Sequence, residues 1–169
     1  GVVDDLFYNP NEMLIQMNKE NPQVFDVYRI NVNTGDMTVV GQNPGNITGW
    51  QTDHNGKLRV AITTDGVNSS VLYRDSEDQE FKPMLTTTFK ETFAPLFFTF
   101  DNKNLYVSSN IGRDKAAIVE YDIANKKEIK VLYENPDYDV NGLSYSRKRK
   151  VIEFANYTGW KQEYHFFDK

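Results

Sequence analysis

Residues 50–58 read Trp-Gln-Thr-Asp-His-Asn-Gly-Lys-Leu, and this short stretch decides the fold. It has the pattern of a strand that enters a polar turn and starts a second strand. Residues 98–105 (Phe-Thr-Phe-Asp-Asn-Lys-Asn-Leu) and 143–151 (Leu-Ser-Tyr-Ser-Arg-Lys-Arg-Lys-Val) repeat this pattern. The pairs of Asn and Gly in 54–57 and in 33–36 are predicted to supply the positive φ that tight hairpins need.

A second recurring mark lies further along each repeat, in the strand that follows. It consists of Tyr28, Tyr73, Tyr121 and Phe167, which are separated by 45, 48 and 46 residues. A period in the forties that contains four short strands is typical of a β-propeller blade. We therefore predict an all-β fold, a partial β-propeller of about four four-stranded blades with the last one incomplete.

The repeat also gives the extent of each blade. The predicted blades cover residues 2–40, 47–85, 94–133 and 140–169, and together they form a single propeller fragment over residues 1–169. The best candidate for a helix is the segment from Thr86 to Phe93. Its threonines and the flanking Pro83 and Pro95 favour a connecting loop instead.

Composition excludes several classes of function. The 169 residues carry 24 acidic and 19 basic side chains, a net charge of −5, which argues against nucleic acid as a partner. Cysteine is absent and there are two histidines, so disulfides, thiolate sites and multi-histidine metal centres are not expected. No apolar run is long enough for a membrane span. We expect neither a metal nor another cofactor.

Two stretches resemble known catalytic or metal-binding motifs but lack an essential residue. Residues 142–146, Gly-Leu-Ser-Tyr-Ser, nearly spell the G-x-S-x-G nucleophile elbow, but the final Gly is replaced by Ser146. We interpret them as the first strand of a blade. Residues 51–56 hint at a calcium loop, yet Gln51 and Ile62 occupy the positions of its acidic ligands, so a hairpin turn is expected.

Two further features have plain structural interpretations. The basic run from Arg147 to Lys150 lies at a predicted hairpin tip, where a solvated turn that protects a sheet edge explains it. His165 lies in a predicted strand, and no acidic partner can be assigned to it from the sequence. We interpret it as a rim or packed histidine rather than as a general base.

Several long segments resemble one family in particular. The chain is similar to the N-terminal propeller of bacterial serine peptidases of the prolyl oligopeptidase family, the acylaminoacyl-peptidase or dipeptidyl-aminopeptidase-like group. The segments that carry the resemblance are residues 15–19, 21–31, 63–68, 97–106, 109–115 and 145–151.

The resemblance implies a two-domain enzyme in which the propeller caps an α/β-hydrolase domain with a Ser, Asp and His triad. Because this chain has no match to the hydrolase domain, no catalytic residue is carried over to it. We expect a non-catalytic cap that gates and positions short peptides for the hydrolase domain of a parent serine oligopeptidase or exopeptidase. The alternative is a TolB-like propeller that acts as a protein-interaction scaffold.

The loops between the second and third strands of each blade are the candidate functional segments. They cover residues 18–24, 65–69, 110–115 and 157–162, and they are expected to gather with the inter-blade loops on one face. Within them Arg113, Asp114 and Trp160 are candidates for contacting a peptide or the partner domain, because Arg grips carboxylates bidentately and Trp offers a large apolar surface. In the alternative interpretation, Arg113 and Asp114 pair to order their loop and Trp160 packs between blades.

An open arc of blades also has a physical consequence for assembly. Each blade buries apolar side chains against its neighbours, so the outer faces of the first and last blades would remain in water. We therefore expect partial closure, self-association or strand exchange across the incomplete fourth blade.

Overall fold

A computed structural model of the chain describes residues 1–167, and these residues form strands, turns and loops without a helix. The strands make four antiparallel sheets, three of four strands and one of three. In every sheet the strands follow one another in chain order. The predicted all-β class and the incomplete last sheet are therefore confirmed.

The chain divides into two compact units, and the first covers residues 1–86. It contains two four-stranded sheets, each ordered as the chain runs. The strands of the first sheet are β1 (Val2–Asp4), β2 (Glu12–Met17), β3 (Asp26–Asn31) and β4 (Met37–Gly41). Those of the second sheet are β5 (Ile47–Thr52), β6 (Leu58–Thr64), β7 (Ser69–Tyr73) and β8 (Lys82–Thr87).

The two sheets of the first unit share one apolar core. Leu14 and Val27 of the first sheet and Leu58 of the second are fully buried in it, together with Leu6 from the β1–β2 connection. Four consecutive residues at the start of β6, Leu58–Ala61, are buried. Since successive side chains of a strand point to opposite faces, both faces of β6 are covered.

Buried arginines fasten the second sheet to the first. Arg74 is only 8% exposed, and its guanidinium donates hydrogen bonds to the carbonyl oxygens of Val40 (2.6 Å), Leu58 (2.8 Å) and Gln79 (3.3 Å). Its guanidinium carbon also lies 4.1 Å from the centre of the Phe81 ring. Burial lowers the pKa of Arg74 below the ordinary arginine value. The buried guanidinium of Arg74 is therefore hydrogen-bonded to backbone carbonyl oxygens and not to a carboxylate.

The second unit starts at residue 87 and also contains two sheets. The third sheet has four strands, β9 (Phe93–Phe98), β10 (Leu105–Ser109), β11 (Ala117–Asp122) and β12 (Lys127–Tyr133). The fourth has three, β13 (Val140–Ser146), β14 (Val151–Thr158) and β15 (Gln162–Phe166). The predicted end of the last blade at Asp168 and Lys169 lies outside the described residues.

The core of the second unit is built across its two sheets. Ile118 of β11 packs with Val140 and Ala155 of the fourth sheet, and all three are fully buried. The Ser108 hydroxyl donates to the Val140 carbonyl at 2.7 Å, and the Val140 amide donates to the Ala116 carbonyl at 2.8 Å. Backbone hydrogen bonds and apolar packing thus join the same pair of sheets.

The recurring aromatic marks of the sequence fall in the third strand of each sheet. Tyr28 lies in β3, Tyr73 ends β7, Tyr121 lies in β11, and Phe167 directly follows β15. The spacing of 45–48 residues between the marks therefore follows the order of the four sheets. The grouping of all four blades as one propeller fragment without a hydrolase domain stays a prediction.

The hairpin turns follow the expected sequence signals with one correction. Gly35 and Gly56 have positive φ, 78° and 72°, whereas Asn33 and Asn55 do not. A Cβ at residue 56 would lie 2.2 Å from the Tyr8 hydroxyl, so this position excludes larger residues as well. The turn at residues 53–57 instead relies on Asp53, whose carboxylate accepts hydrogen bonds from the amides of Asn55 and Lys57.

The segment from Thr86 to Phe93 contains no helix, as predicted. Thr86 and Thr87 end β8, Phe93 begins β9, and residues 88–92 form the connection. The β-branched threonines lose side-chain freedom in a helix and suit a strand.

We predict that replacing Arg74 with Met destabilises the chain by about 2–4 kcal/mol, because three carbonyl groups lose their buried donor. The measurement is the urea unfolding midpoint at neutral pH. Lys82→Met on the exposed surface of the same sheet is the matched control, with an expected change below about 0.5 kcal/mol. Equal losses of stability in the two variants would contradict the stabilising role of the Arg74 hydrogen bonds.

Acid should weaken the turns that depend on Asp65, Asp101 and Asp122. Hydrogen bonds from the Asn68 amide, the Thr99 hydroxyl and the Asn125 side-chain amide, respectively, lower the pKa of these three carboxyl groups. A lowered pKa in the folded state means that their stabilisation is complete above the unfolded pKa, about 4, and is lost as the pH falls through the folded pKa.

The variant in which all three residues are replaced by Asn should therefore lose less stability than the parent chain as the pH falls. The comparison runs from about one pH unit above the unfolded pKa to about one pH unit below it. Urea midpoints measured across this range give the comparison. A triple variant with an unchanged acid slope would show that these carboxylates do not support the turns.

Candidate functional site

The candidate loops of the second unit lie at one end of its strands. In an antiparallel sheet whose strands follow chain order, the loop after the second strand and the connection after the fourth leave from the same end. The loop of residues 110–116 joins β10 to β11, the connection of residues 134–139 joins β12 to β13, and the turn of residues 159–161 joins β14 to β15. We call this set of three segments the loop end.

Direct contacts join the first two segments of the loop end. The Ala116 amide donates to the Asp139 carboxylate at 2.7 Å, and the Ala116 carbonyl accepts from the amide of Val140, which directly follows the connection, at 2.8 Å. Between the segments lies a small cleft of about 280 Å³, lined by Arg113, Asp114, Lys115, Glu134, Asn135 and Pro136. Two of the three predicted contact residues therefore line the same cleft.

Arg113 is held by a partner that the sequence analysis did not identify. Its two terminal nitrogens donate to both carboxylate oxygens of Glu128 in β12, at 3.1 and 2.8 Å, and one of them also donates to the Ser109 carbonyl. The hydrogen bonds to Glu128 raise the pKa of Arg113 above its ordinary value. The expected partner, Asp114, is instead exposed, with its carboxylate 3.8 Å from the Lys115 ammonium.

Trp160 lies at the tip of the β14–β15 turn and is 99% exposed. The alternative interpretation, in which this indole packs between blades, is therefore wrong. The backbone at Gly159 lies against the ring of Tyr138, because a Cβ built at Gly159 would be 3.2 Å from that ring. Tyr138 belongs to the connection that lines the cleft, so the third candidate adjoins the same loop end.

An aromatic cluster supports the turn from below. The ring of Tyr157 stacks on Tyr138 at 5.9 Å, and the ring of Tyr133 stacks in parallel on His165 at 4.0 Å. Hydrogen bonding with Tyr133 raises the pKa of Tyr157. His165 is thus a packed histidine, one of the two roles predicted for it.

The resemblances to known motifs have the structural explanations expected of them. Residues 142–146 lie in β13, and Ser144 pairs with Phe154 of β14. The Asp53 carboxylate, the centre of the supposed calcium loop, is bound by turn amides and by Arg59 at 3.1 Å. Within residues 1–167 there is no group of three or more acidic, His or Cys side chains that would suit a metal ion.

The first unit has a larger cleft of about 830 Å³ at the corresponding end. It is bounded by the β4–β5 connection, including Asn43 and Asn46, and by Thr63 and Ser70 of the β6–β7 hairpin. Leu72 and Phe81 give it an apolar wall, and Asp26 and Glu80 add carboxylates. In both units, therefore, a cleft forms where an inter-sheet connection meets the loop between the second and third strands.

Sequence reasoning missed Glu128, Tyr138 and Asp139. Glu128 lies in β12, which reads Lys-Glu-Ile-Lys-Val-Leu-Tyr, and nothing in that alternation indicates which loop its carboxylate reaches. Tyr138 and Asp139 follow Asn135-Pro136, a turn signal, so they were visible as a connection but not as part of the site.

Comparison with known proteins finds a relative among the peptidases. The chain is 31% identical to dipeptidyl aminopeptidase BIII of Pseudoxanthomonas mexicana over 79% of its length, and it spans 20% of that relative. This similarity supports identification of the chain as a propeller segment of the prolyl oligopeptidase family of peptidases. No family model matches it.

Solved structures agree on the fold. A structure from a study of two prolyl endopeptidases superposes with a TM-score of 0.59 at 16% identity, covering 86% of this chain and 22% of the other. The β-propeller domain of the Trilobed protease from Pyrococcus furiosus gives a TM-score of 0.50 at 12% identity, covering 92% and 53%. The predicted partial propeller is thereby confirmed. Among the described residues, no helix qualifies as a membrane span.

Mutations at Glu128 and at Trp160 should affect the stability of the chain differently. Glu128→Ala should cost about 1 kcal/mol and speed hydrogen exchange in residues 110–116, because Arg113 of this loop loses the carboxylate that holds it. Trp160→Ala should change the free energy of unfolding by less than about 0.5 kcal/mol, since the indole contacts solvent.

Chemical denaturation and amide exchange give both readouts. Glu134→Ala, which removes a carboxylate that lines the cleft with Arg113, is the control for a general charge effect. If it loosens the loop as much as Glu128→Ala does, the Arg113–Glu128 pair is not what holds it.

Proposed function

We propose that this propeller is the non-catalytic cap of a serine peptidase and that its loop end positions short peptides for the hydrolase domain of the parent protein. The chain itself is proposed to carry no catalytic centre. Family membership supports the peptidase assignment over an independent interaction scaffold. We propose that the cap binds peptides, that it contacts a hydrolase domain and that the parent protein is a peptidase.

The observation that carries the proposal is the exposed indole of Trp160 at the loop end that also holds the cleft. A fully exposed Trp is unusual for a side chain with this much apolar surface, and Trp is enriched where proteins bind other chains. The backbone of the turn packs on Tyr138 at Gly159, next to Trp160, and this contact fixes the position of the turn that carries the indole. We assign Trp160 as a surface for apolar peptide side chains.

The charged residues of the cleft complete the proposed site. Because Glu128 occupies the Arg113 fork, we assign Arg113 to holding the loop rather than to gripping a substrate carboxylate. Lys115 and Asp114 remain on the surface, where their opposite charges suit the two termini of a short zwitterionic peptide. The proposed contact residues for peptide are therefore Trp160, Lys115 and Asp114.

Peptide binding can be measured on this chain by Trp160 fluorescence in a Trp50→Phe background. Titration with peptides of two to five residues should give a saturable change with a dissociation constant of about 0.1–1 mM, as expected of a small open site. Trp160→Ala, followed by calorimetry, should weaken binding about tenfold. Phe7→Ala, which removes an exposed ring from the β1–β2 connection, is the matched control.

Two results would contradict the proposal. Unchanged affinity in Trp160→Ala would remove the indole from the site. Turnover of a fluorogenic dipeptidyl substrate by the pure chain, lost in Ser144→Ala, would show that this chain is itself an enzyme.

A further inference from the structure

The larger cleft of the first unit has the size of a ligand site and contains a buried hydroxyl group without a partner. Its volume of about 830 Å³ lies within the range of about 300–1,000 Å³ that ligand pockets occupy. Thr63 lines it and is only 9% exposed, yet its hydroxyl makes no hydrogen bond to any of residues 1–167. Because buried hydroxyl groups are normally hydrogen-bonded, Thr63 offers a donor and an acceptor to a molecule that enters the cleft.

The charge of this cleft favours a cation. The charged side chains that line it are Asp26 and Glu80, and the described lining residues include no lysine or arginine. One oxygen of Asp26 accepts a hydrogen bond from the Asn43 amide at 2.7 Å, whereas the other has no partner within residues 1–167. Glu80 likewise makes no hydrogen bond or ion pair in that part of the chain. The cleft therefore offers free carboxylate oxygens, which form their strongest hydrogen bonds with cationic donors.

Other carboxylates of the chain already have a cationic partner. Three of them are paired with arginines, as Asp53–Arg59, Glu77–Arg29 and Glu128–Arg113. Arg74 contacts the Phe81 ring of the cleft wall, but its donors bond the carbonyl oxygens of other residues. The partly buried Asp26 thus lacks the guanidinium that these three carboxylates have within the chain, and a ligand could supply one.

The uncharged lining of the cleft suits an arginine side chain of a peptide. Leu72, Phe81 and Pro83 form an apolar wall, on which the alkyl stem of an arginine can pack while its charged end remains hydrogen-bonded. The side-chain amides of Gln42 and Asn46 make no hydrogen bond within residues 1–167, so they are available to a peptide backbone. A planar guanidinium can donate to several acceptors at once, whereas a lysine ammonium is a compact point charge.

We propose that this cleft binds the arginine side chain of a peptide. Its guanidinium donates to the free carboxylate oxygens of Asp26 and Glu80 and to the Thr63 hydroxyl, and its stem packs on the apolar wall. The inference rests on the proposed function only in taking a peptide as the ligand. It assigns a second site, in the first unit, with a preference that the loop end of the second unit does not provide.

A peptide with blocked ends separates this site from the loop end, which is proposed to bind free termini. Acetyl-Gly-Arg-Gly-amide, titrated calorimetrically into the 169-residue chain, should bind with a dissociation constant of about 0.1–1 mM. The citrulline counterpart, in which a neutral urea group replaces the guanidinium, should bind about tenfold more weakly because the charge-assisted hydrogen bonds are lost. The lysine and glutamate counterparts should also bind more weakly.

Two variants of nearly unchanged shape test the residues of the site. Asp26→Asn keeps an acceptor for the Asn43 amide and should weaken binding about tenfold, and Thr63→Val should weaken it about threefold. Asp36→Asn is the matched control, because it removes the same charge from the β3–β4 hairpin at the opposite end of the first sheet. Its effect should stay below about twofold.

Backbone amide shifts in nuclear magnetic resonance spectra locate the peptide. On titration with acetyl-Gly-Arg-Gly-amide they should change around residues 42–47 and 63–72, which include the cleft lining. Trp160→Ala should leave the affinity for this blocked peptide unchanged. Urea unfolding midpoints of all variants show whether each one is folded.

Several results would overturn the inference. Equal affinity for the arginine and citrulline peptides would show that the guanidinium charge is not recognised, and equal affinity for the lysine peptide would show that its fork is not. Full binding by folded Asp26→Asn would remove the carboxylate from the site. Amide shifts confined to residues 110–116 and 134–139 would place the peptide at the loop end, which would refute the second site and leave the proposed function standing.

Discussion

Every sheet of this chain is too small to bury its own apolar side chains, and the structure depends on stacking each one against a neighbour. β6 shows the constraint most clearly, because Leu58, Arg59, Val60 and Ala61 are buried in sequence on alternating faces. A strand of this kind is stable only when both faces of its sheet are covered. The shared cores around Leu14, Val27 and Leu58 and around Ile118, Val140 and Ala155 are the direct result.

Stacked sheets leave backbone carbonyls buried at their margins, and polar side chains satisfy them in a consistent way. Arg74 reaches Val40 across the gap between two sheets, and Ser108 reaches Val140 across another. The Arg29 guanidinium similarly bonds the Gly56 carbonyl and the Glu77 carboxylate at 2.9 Å. Because leaving a buried carbonyl without a donor costs about 1–3 kcal/mol, these hydrogen bonds help the apolar core to align the sheets.

The sequence predicted the parts of the fold that local physics determines. Strand alternation, glycine turns and a repeat of 45–48 residues located all four sheets, since each depends on neighbours in the chain. The site was only partly predictable. Arg113, Asp114 and Trp160 were predicted as candidates because loops carry contacts, but the Arg113–Glu128 pair joins a loop to a strand fifteen residues away. Its geometry depends on how β12 turns its side chains, and alternation alone does not specify that.

The two ends of the strands have different physical roles. At the end that holds the β5–β6 and β9–β10 hairpins, Asp53 and Asp101 accept hydrogen bonds from turn amides. The side chains there stabilise the backbone of the turns. At the loop end, an ion pair and a tyrosine cluster fix the support, while Trp160 and Asp114 contribute almost nothing to it. A surface whose exposed residues are not needed for folding can change its chemistry without loss of stability. The exposed residues of the loop end can therefore vary over the same buried sheets.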